Sequence, residues 1–216
     1  LGVARGRQEN YAGAEEAYSK AVELSPKDAS FWVKLGVARG RQENYAGAEE
    51  AYSKAVELSP KDASFWNGLG VARGRQENHA GAEEAYRRAV ELSPKDAFFW
   101  GNLGVARGCQ ENHAGAEEAY RRAVELSPDN ASFWNVLGVT RWCQDNYVGT
   151  EEAMNKAVEL SPENASLWSD LGEARLALGD SIGSEKAFIK AMGLNPAHKL
   201  KARIGLLQAY VNVKNQ

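Results

Sequence analysis

The chain has 216 residues, of which 44% are hydrophobic and 25% charged, a composition typical of a folded globular or repeat protein. Its formal net charge of −3 lacks the basic excess of most nucleic-acid-binding proteins. No apolar run reaches the ~18 residues that a membrane span needs, and two cysteines are too few for a disulfide framework. We therefore expect neither nucleic-acid binding nor a membrane span.

The sequence repeats with a period of 34 residues. Residues 1–32 and 35–66 are identical, and all six prolines follow the same period. A fixed period of this size is typical of stacked helical repeats. Because the chain starts at Leu1, part-way through a repeat, we expect it to be a fragment. We divide it into six repeats, the first one truncated: 1–28, 29–62, 63–96, 97–130, 131–164 and 165–198.

Each repeat is predicted to contain two helices, because its apolar residues recur at helical spacing. In the repeat 29–62, the first helix is predicted from about Ser30 to Gln42 and the second from about Tyr45 to Leu58. Asp28 and Asn44 are the predicted N-caps, since their side chains can accept a bond from a free backbone amide. Pro60 ends the second helix, because it disfavours helical geometry in the preceding residue.

At its signature positions the repeat resembles the tetratricopeptide repeat. The residues that carry the resemblance are Trp32-x2-Leu35-Gly36, Ala48-x3-Tyr52-x2-Ala55 and Pro60. The resemblance covers residues 1–198 and implies an all-α fold, a right-handed α-solenoid of stacked antiparallel helix pairs. Residues 199–216 carry an apolar stripe at helical spacing, and the resemblance implies a C-terminal capping helix there.

Two charged positions do not vary between repeats: the eleventh is always arginine and the twenty-first always glutamate. Arg39 and Glu49 lie five residues either side of Asn44, so they should face each other across the hairpin. We predict an ion pair at this place in each helix pair, with a solvated Arg39–Glu43 pair as the alternative. The residues assigned to these pairs are Arg39 with Glu49, Arg73 with Glu83, and Arg107 with Glu117.

Other positions vary more than their surroundings. The resemblance implies that the fifth, sixth, ninth, twelfth and thirteenth positions of each repeat line a concave groove. Their variation suggests a surface tuned to a ligand, and neutral drift of exposed positions is the alternative. The predicted partner-binding residues are Val33, Lys34, Val37, Arg41, Asn67, Val71, Arg75, Asn102, Val105, Asn135, Val139, Trp142, Asp170 and Glu173.

The predicted groove changes in character along the chain. The ninth positions form a stripe of valines. The thirteenth positions are Arg7, Arg41 and Arg75 in the N-terminal half, which makes that half basic. Asp170 and Glu173 make the C-terminal end acidic. This polarity would orient an extended ligand or favour head-to-tail contact between molecules.

The twelfth position of the first four repeats is glycine, although glycine inside a helix costs about 1 kcal/mol relative to alanine. These glycines could allow close approach of a ligand backbone, or they could be copies of one tolerated glycine. In the fifth repeat Trp142 takes this place. We interpret it either as an exposed hot spot for binding or as a side chain that packs on its own helix.

No catalytic or metal-binding pattern is present in the sequence. His79 and His113 stand where other repeats have tyrosine, so we expect them to pack as aromatic side chains. Cys109 and Cys143 lie at equivalent positions of stacked helices, which are roughly 10 Å apart, so we expect free thiols rather than a disulfide. Valine at the ninth position argues against the carboxylate clamp by which some members of the family hold a C-terminal tail.

We therefore interpret the chain as a protein–protein interaction scaffold that binds an extended segment or helix of a partner protein. It needs no cofactor and is not itself an enzyme. One alternative is a structural protein that self-associates end to end. Another is the recruiting region of a larger enzyme whose catalytic domain lies outside this chain. The compartment stays open, with a soluble, cytoplasmic protein slightly favoured.

Overall fold

The computed structural model describes residues 10–195 and residue 207. Within these residues all regular secondary structure is helical, as the sequence predicts. Residues 1–9, with Arg7, and the predicted capping helix over 199–216 lie outside the described residues, Leu207 excepted. The helices are α1 (Tyr11–Leu24), α2 (Ala29–Gly40), α3 (Tyr45–Leu58), α4 (Ala63–Arg75), α5 (His79–Leu92), α6 (Ala97–Gly108), α7 (His113–Leu126), α8 (Ala131–Trp142), α9 (Tyr147–Leu160), α10 (Ala165–Ala177) and α11 (Ser181–Leu194).

The helices begin at the predicted capping residues. The backbone amide of Ser30 donates to Oδ1 of Asp28 at 2.9 Å, and that of Gly47 donates to Oδ1 of Asn44 at 3.0 Å. Helix α3 has the predicted bounds, whereas α2 ends at Gly40, two residues earlier than predicted. Local capping chemistry therefore fixes where these helices start.

The early end of α2 has a backbone cause that glutamate at position 43 does not signal. The amide of Asn44 donates to the carbonyl of Arg39 at 3.0 Å, and that of Glu43 donates to Gly40 at 3.1 Å. This pair of bonds is a Schellman motif, which needs a left-handed residue, here Glu43 at φ 60°. The same conformation recurs at Glu77 (φ 61°), Glu111 (φ 60°), Asp145 (φ 56°) and Gly179 (φ 80°).

A second repeated bond joins the tryptophan and the proline that share one period. Nε1 of Trp32 donates to the carbonyl oxygen of Pro26 at 2.9 Å, which ties the start of α2 to the end of α1. The ring is partly buried against the surrounding core. The equivalent bonds, at 2.8 to 2.9 Å, join Trp66 to Pro60, Trp100 to Pro94, Trp134 to Pro128, and Trp168 to Pro162.

The chain divides into two compact units, unit 1 (Leu1–Asn112) and unit 2 (His113–Gln216). In each unit small alanines and larger apolar side chains from successive helices share a core, because one helix pair cannot bury its apolar face alone. The buried clusters of unit 1 are Val22, Leu35 and Ala51, and Val56, Leu69 and Ala85. The buried cluster of unit 2 is Met154, Ala157, Val158, Leu167, Leu171 and Ala187.

Candidate functional site

Among the described residues, each recurring arginine forms an ion pair with a recurring glutamate, but not across the hairpin as predicted. The pairing of Arg39 with Glu49, of Arg73 with Glu83 and of Arg107 with Glu117 is wrong. Each arginine instead bonds the glutamate of the preceding helix pair, with Nε to Oε1 distances of 2.9 to 3.0 Å. This Arg–Glu ladder consists of Glu15–Arg39, Glu49–Arg73, Glu83–Arg107, Glu117–Arg141 and Glu151–Arg175.

The physical reason is the position of the guanidinium between two helices. Nη1 of Arg73 donates to the backbone carbonyl of Gly81 on α5 at 3.2 Å, so the hairpin side of the group is already occupied. Its Nε atom then faces α3 and bonds Glu49. Nε2 of Gln76 donates to the second carboxylate oxygen of Glu49 at 2.7 Å. Both oxygens of the glutamate are thereby held by the following helix pair.

Arg39 repeats this arrangement. Among the described residues it bonds Oε1 of Glu15, the carbonyl of Gly47 and, at 3.3 Å, Oε2 of Glu50. Neither Glu49 nor the alternative partner Glu43 is among these bonds. The ladder is therefore structural, because its arginines are mostly buried and engaged between helices.

The valines predicted to line the binding surface are exposed. Val37, Val71 and Val105 of unit 1 have exposed fractions of 47%, 42% and 52%, and Val139 of unit 2 has 47%. Single exposed apolar side chains are common on protein surfaces, but the three valines at the same repeat position of unit 1 together offer contact area to a ligand.

Arg41 and Arg75 are exposed and stand apart from the ladder. Neither guanidinium forms an ion pair with any residue that the structure describes. Each of these arginines lies near a tyrosine. The positive charge of Arg41 acts to lower the pKa of Tyr52, and that of Arg75 acts to lower the pKa of Tyr86. Burial raises the pKa of Tyr86 to about 12 against this effect.

Two cavities open beside these residues in unit 1. The first has a volume of about 500 Å³, and its lining includes Val37, Gly40, Arg41, Glu43, Tyr45, Tyr52, Val71 and Arg75. The second has a volume of about 310 Å³, and its lining includes Val71, Gly74, Arg75, His79, Tyr86, Asn102, Val105 and Cys109. Val71 and Arg75 contribute to both cavities, so the cavities are neighbours along the same row of helices.

The other predicted residues of unit 1 are partly engaged with their own neighbours. Nζ of Lys34 lies 5.5 Å from the centre of the Phe31 ring, a cation–π contact. Nδ2 of Asn102 donates to Oδ1 of Asn67 at 2.7 Å, so these two amides bond each other. Val33 is half-buried. The exposed and unpaired part of the predicted surface in unit 1 is thus the valines with Arg41 and Arg75.

In unit 2, Trp142 at the end of α8 is partly exposed, and its ring contact is with the following helix rather than with its own. It has an exposed fraction of 38%, yet its ring packs edge-on against Tyr147 with centroids 5.0 Å apart and an interplanar angle of 66°. The hydroxyl of Tyr147 donates to Oδ1 of Asp145 at 2.7 Å, which fixes the tyrosine ring. Asn135, Asp170 and Glu173 are half-buried.

Cys109 and Cys143 are exposed free thiols. His79 lies in the wall of the second cavity, and His113 is half-buried. Across residues 10–195, no three His, Cys, Asp or Glu side chains are grouped so as to hold a metal ion. No helix in the part of the chain that the structure describes is long and apolar enough to cross a membrane.

Comparison with known families and structures gives a consistent result. The sequence profile of the tetratricopeptide repeat matches residues 1–63, 34–97 and 102–165, together well over half of the chain. No curated protein matches the sequence significantly.

Three solved structures illustrate the similarity of fold. The C-terminal part of a TPR repeat-containing protein from Cytophaga hutchinsonii is 15% identical with a TM-score of 0.80, covering 96% of this chain and 83% of that chain. PilF of Pseudomonas aeruginosa is 20% identical with a TM-score of 0.76, covering 94% and 92%. YrrB, described as a TPR protein with an unusual peptide-binding site, is 20% identical with a TM-score of 0.75, covering 88% and 98%. At these identities the similarity establishes the fold alone.

Proposed function

The chain belongs to the tetratricopeptide repeat family, and from this premise we propose that it is a protein-interaction scaffold whose unit 1 binds an extended, acidic segment of a partner protein. Members of the family are typically non-catalytic scaffolds, and the proposal gives this chain a binding role without a chemical step. The peptide-binding site named for YrrB is a property of that protein, but it supports the idea that such a fold can hold a peptide.

The observation that carries the proposal is the contrast between two sets of arginines. The arginines of the ladder are largely buried and bonded to glutamates, whereas Arg41 and Arg75 are exposed and have no acidic partner among the described residues. Both lie in the walls of open cavities. A guanidinium bonds a carboxylate in bidentate geometry, so two free guanidiniums beside exposed valines favour a ligand with acidic and apolar side chains.

Glu43 lines the first cavity and reduces its positive charge. The second cavity has no acidic residue in its lining, so Arg75 acts there without an opposing charge. We therefore assign the larger share of the electrostatic attraction to Arg75, which borders both cavities.

Binding of short fluorescein-labelled peptides, followed by fluorescence polarisation, tests the proposal. One probe alternates aspartate with valine, and its counterpart alternates lysine with valine. We expect the aspartate probe to bind more tightly, and its affinity to fall with rising salt because the contacting charges are exposed. The double variant Arg41→Glu with Arg75→Glu should weaken binding of this probe by about tenfold or more.

A matched control is the double variant Lys61→Glu with Lys95→Glu. It changes the net charge by the same amount, but both lysines are exposed on the turns between helix pairs and lie outside both cavities. We expect this variant to bind the aspartate probe nearly as well as the wild type. If both double variants lost the same amount of affinity for the aspartate probe, net charge alone would explain the effect. The assignment of the binding site to Arg41 and Arg75 would then be wrong.

A further inference from the structure

Glycine at two places in the cavity walls leaves room that another side chain would fill. An ideal Cβ atom at Gly40 would lie 3.8 Å from Cβ of Ala48, and one at Gly74 would lie 3.7 Å from Cβ of Ala82. Both distances are ordinary van der Waals contacts, so packing does not demand glycine at either position. Glycine in a helix nevertheless costs up to about 1 kcal/mol relative to alanine, the full value applying to the helix interior and less to the last turn, where both residues lie. The two cavities thus contain space that the chain keeps empty at a cost in stability.

Unit 2 shows what this place in a helix pair can hold. Trp142 stands 68 residues after Gly74 and 102 after Gly40, that is, at the equivalent position two and three repeats later. Its ring packs edge-on against Tyr147, whose equivalents are Tyr45 in the first cavity and His79 in the second. In unit 1, therefore, Tyr45 and His79 line the cavities as Tyr147 does its place in unit 2, but glycine stands where unit 2 has the indole ring of Trp142.

We infer that the two cavities of unit 1 are subsites for aromatic side chains of the bound segment, one over Gly40 and one over Gly74. The inference rests on the proposed function and names the ligand more closely. The ring in the first subsite packs against Tyr45 as Trp142 packs against Tyr147. Edge-to-face aromatic pairs contribute about 0.5–1.5 kcal/mol beyond their buried area.

The size and charge of the cavities fit this ligand. Their volumes of about 500 and 310 Å³ lie in the range of small-molecule pockets, so each accommodates one aromatic side chain. Arg41 and Arg75 in the cavity walls can bond carboxylates that flank the ring, and a guanidinium can also stack on an aromatic face. The ligand is thus a segment in which aromatic and acidic residues stand next to each other.

The spacing of the subsites predicts a spacing in the ligand. The two cavities are one helix pair apart, which corresponds to about 10 Å between packed helices. An extended segment in polyproline II conformation returns to the same side every third residue, after about 9 Å. Aromatic residues three positions apart in such a segment would therefore reach both subsites at once.

The test uses wild-type protein and fluorescein-labelled peptides. The first probe has two tryptophans three residues apart, with aspartates between and beside them. Two further probes replace both tryptophans by alanine or place the tryptophans two residues apart. We expect the first probe to bind about tenfold or more tightly than the alanine probe, and severalfold more tightly than the probe with the shorter spacing.

The outcomes separate this inference from the function on which it rests. If the alanine probe binds as tightly as the first probe, and Arg41→Glu with Arg75→Glu still weakens both, the acidic-segment proposal survives and the aromatic subsites are overturned. If no acidic probe binds, both proposals fail. Equal binding at the two tryptophan spacings would overturn simultaneous occupation of the two cavities.

A variant pair gives a second readout. Gly40→Trp with Gly74→Trp introduces the residue of unit 2 into both cavities and should abolish the advantage of the tryptophan probe over the alanine probe. The control is Ala46→Trp with Ala80→Trp, which adds the same side chains at exposed positions outside both cavities. Circular dichroism checks that both variants are folded. If one of them is not, the comparison of the tryptophan and alanine probes on the wild-type protein tests the aromatic subsites by itself. Retention of the full advantage in a folded Gly→Trp variant would overturn the inference.

Discussion

Arg73 on α4 bonds Glu49 on α3 through its Nε atom at 2.9 Å, and the same guanidinium bonds the backbone of Gly81 on α5 at 3.2 Å. One side chain therefore contacts both the preceding helix pair and the second helix of its own pair. Its exposed fraction is 22%, and that of Glu49 is 29%, so the ion pair is shielded from most of the solvent.

A double-mutant cycle on Arg73→Ala and Glu49→Ala should give a coupling energy of about 1–2 kcal/mol, above that of a typical surface pair, because the bond is charge-assisted and mostly buried. The parallel cycle on Arg73→Ala and Glu83→Ala should give a value near zero, since Glu83 bonds Arg107 instead. Urea unfolding measures both. Coupling of equal size in the two cycles would contradict the observed pairing.

Two glycines of α4 should respond oppositely to alanine. A Cβ atom at Gly70 would lie 2.6 Å from Cε1 of the buried Tyr86 ring, so Gly70→Ala should lower the free energy of unfolding by about 1–3 kcal/mol. Gly74→Ala meets no such obstacle and should raise it by up to about 1 kcal/mol. Urea midpoints of the two variants provide the comparison. A neutral Gly70→Ala would mean that the Tyr86 ring can shift without loss of packing.

The left-handed turn residues offer a stabilising substitution. Glu77 has φ 61° and an exposed side chain, and a non-glycine residue in this region costs about 1–2 kcal/mol. Glu77→Gly should therefore stabilise the protein by about 0.5–1 kcal/mol, after the entropy that glycine loses on folding. Gly179→Ala, at φ 80°, should destabilise it by about 1 kcal/mol. Thermal unfolding tests both, and two changes of the same sign would be the contrary result.

The buried side chain of Tyr86 should make the folded protein less stable at alkaline pH. Burial raises its pKa to about 12, above the ordinary value of about 10. The unfolded chain therefore loses this proton more readily, and the associated stability is fully present below about pH 10 and is lost as the pH rises towards 12.

Unfolding by urea between about pH 8 and pH 11 should show this decline in the wild type and a shallower one in Tyr86→Phe. Part of the decline should remain in the variant, because burial also raises the pKa of Tyr52. Identical pH dependence in the two proteins would show that Tyr86 does not carry the effect.

Much of the fold could be predicted from the sequence because its determinants are local. Capping by Asp28 and Asn44, and the end of α3 before Pro60, depend on residues close in the chain. The family profile and the all-helical structure confirm the predicted repeat fold. The left-handed conformation of Glu43 was missed, because glutamate gives no sign of it; glycine at the equivalent Gly179 was the available signal.

The pairing of the ladder could not be predicted for a different reason. Every repeat has the same arginine and glutamate, so a bond from Glu49 to Arg39 and a bond from Glu49 to Arg73 leave the same pattern in the sequence. Only the direction of the side chain between its two neighbouring helices distinguishes them. The cavities could not be predicted either, since the glycines and exposed valines that border them are separated along the chain and come together only when the helices stack.

The ladder also bears on cooperativity. In a linear array, total stability is the sum of an intrinsic term for each helix pair and a coupling term for each junction. Nε of Arg73 and the side-chain amide of Gln76 both bond Glu49 in the preceding pair. The free energy of these two bonds therefore contributes to the coupling term of the junction. Strong junctions make partly unfolded states of such an array unfavourable, so adjacent helix pairs should melt together rather than one at a time.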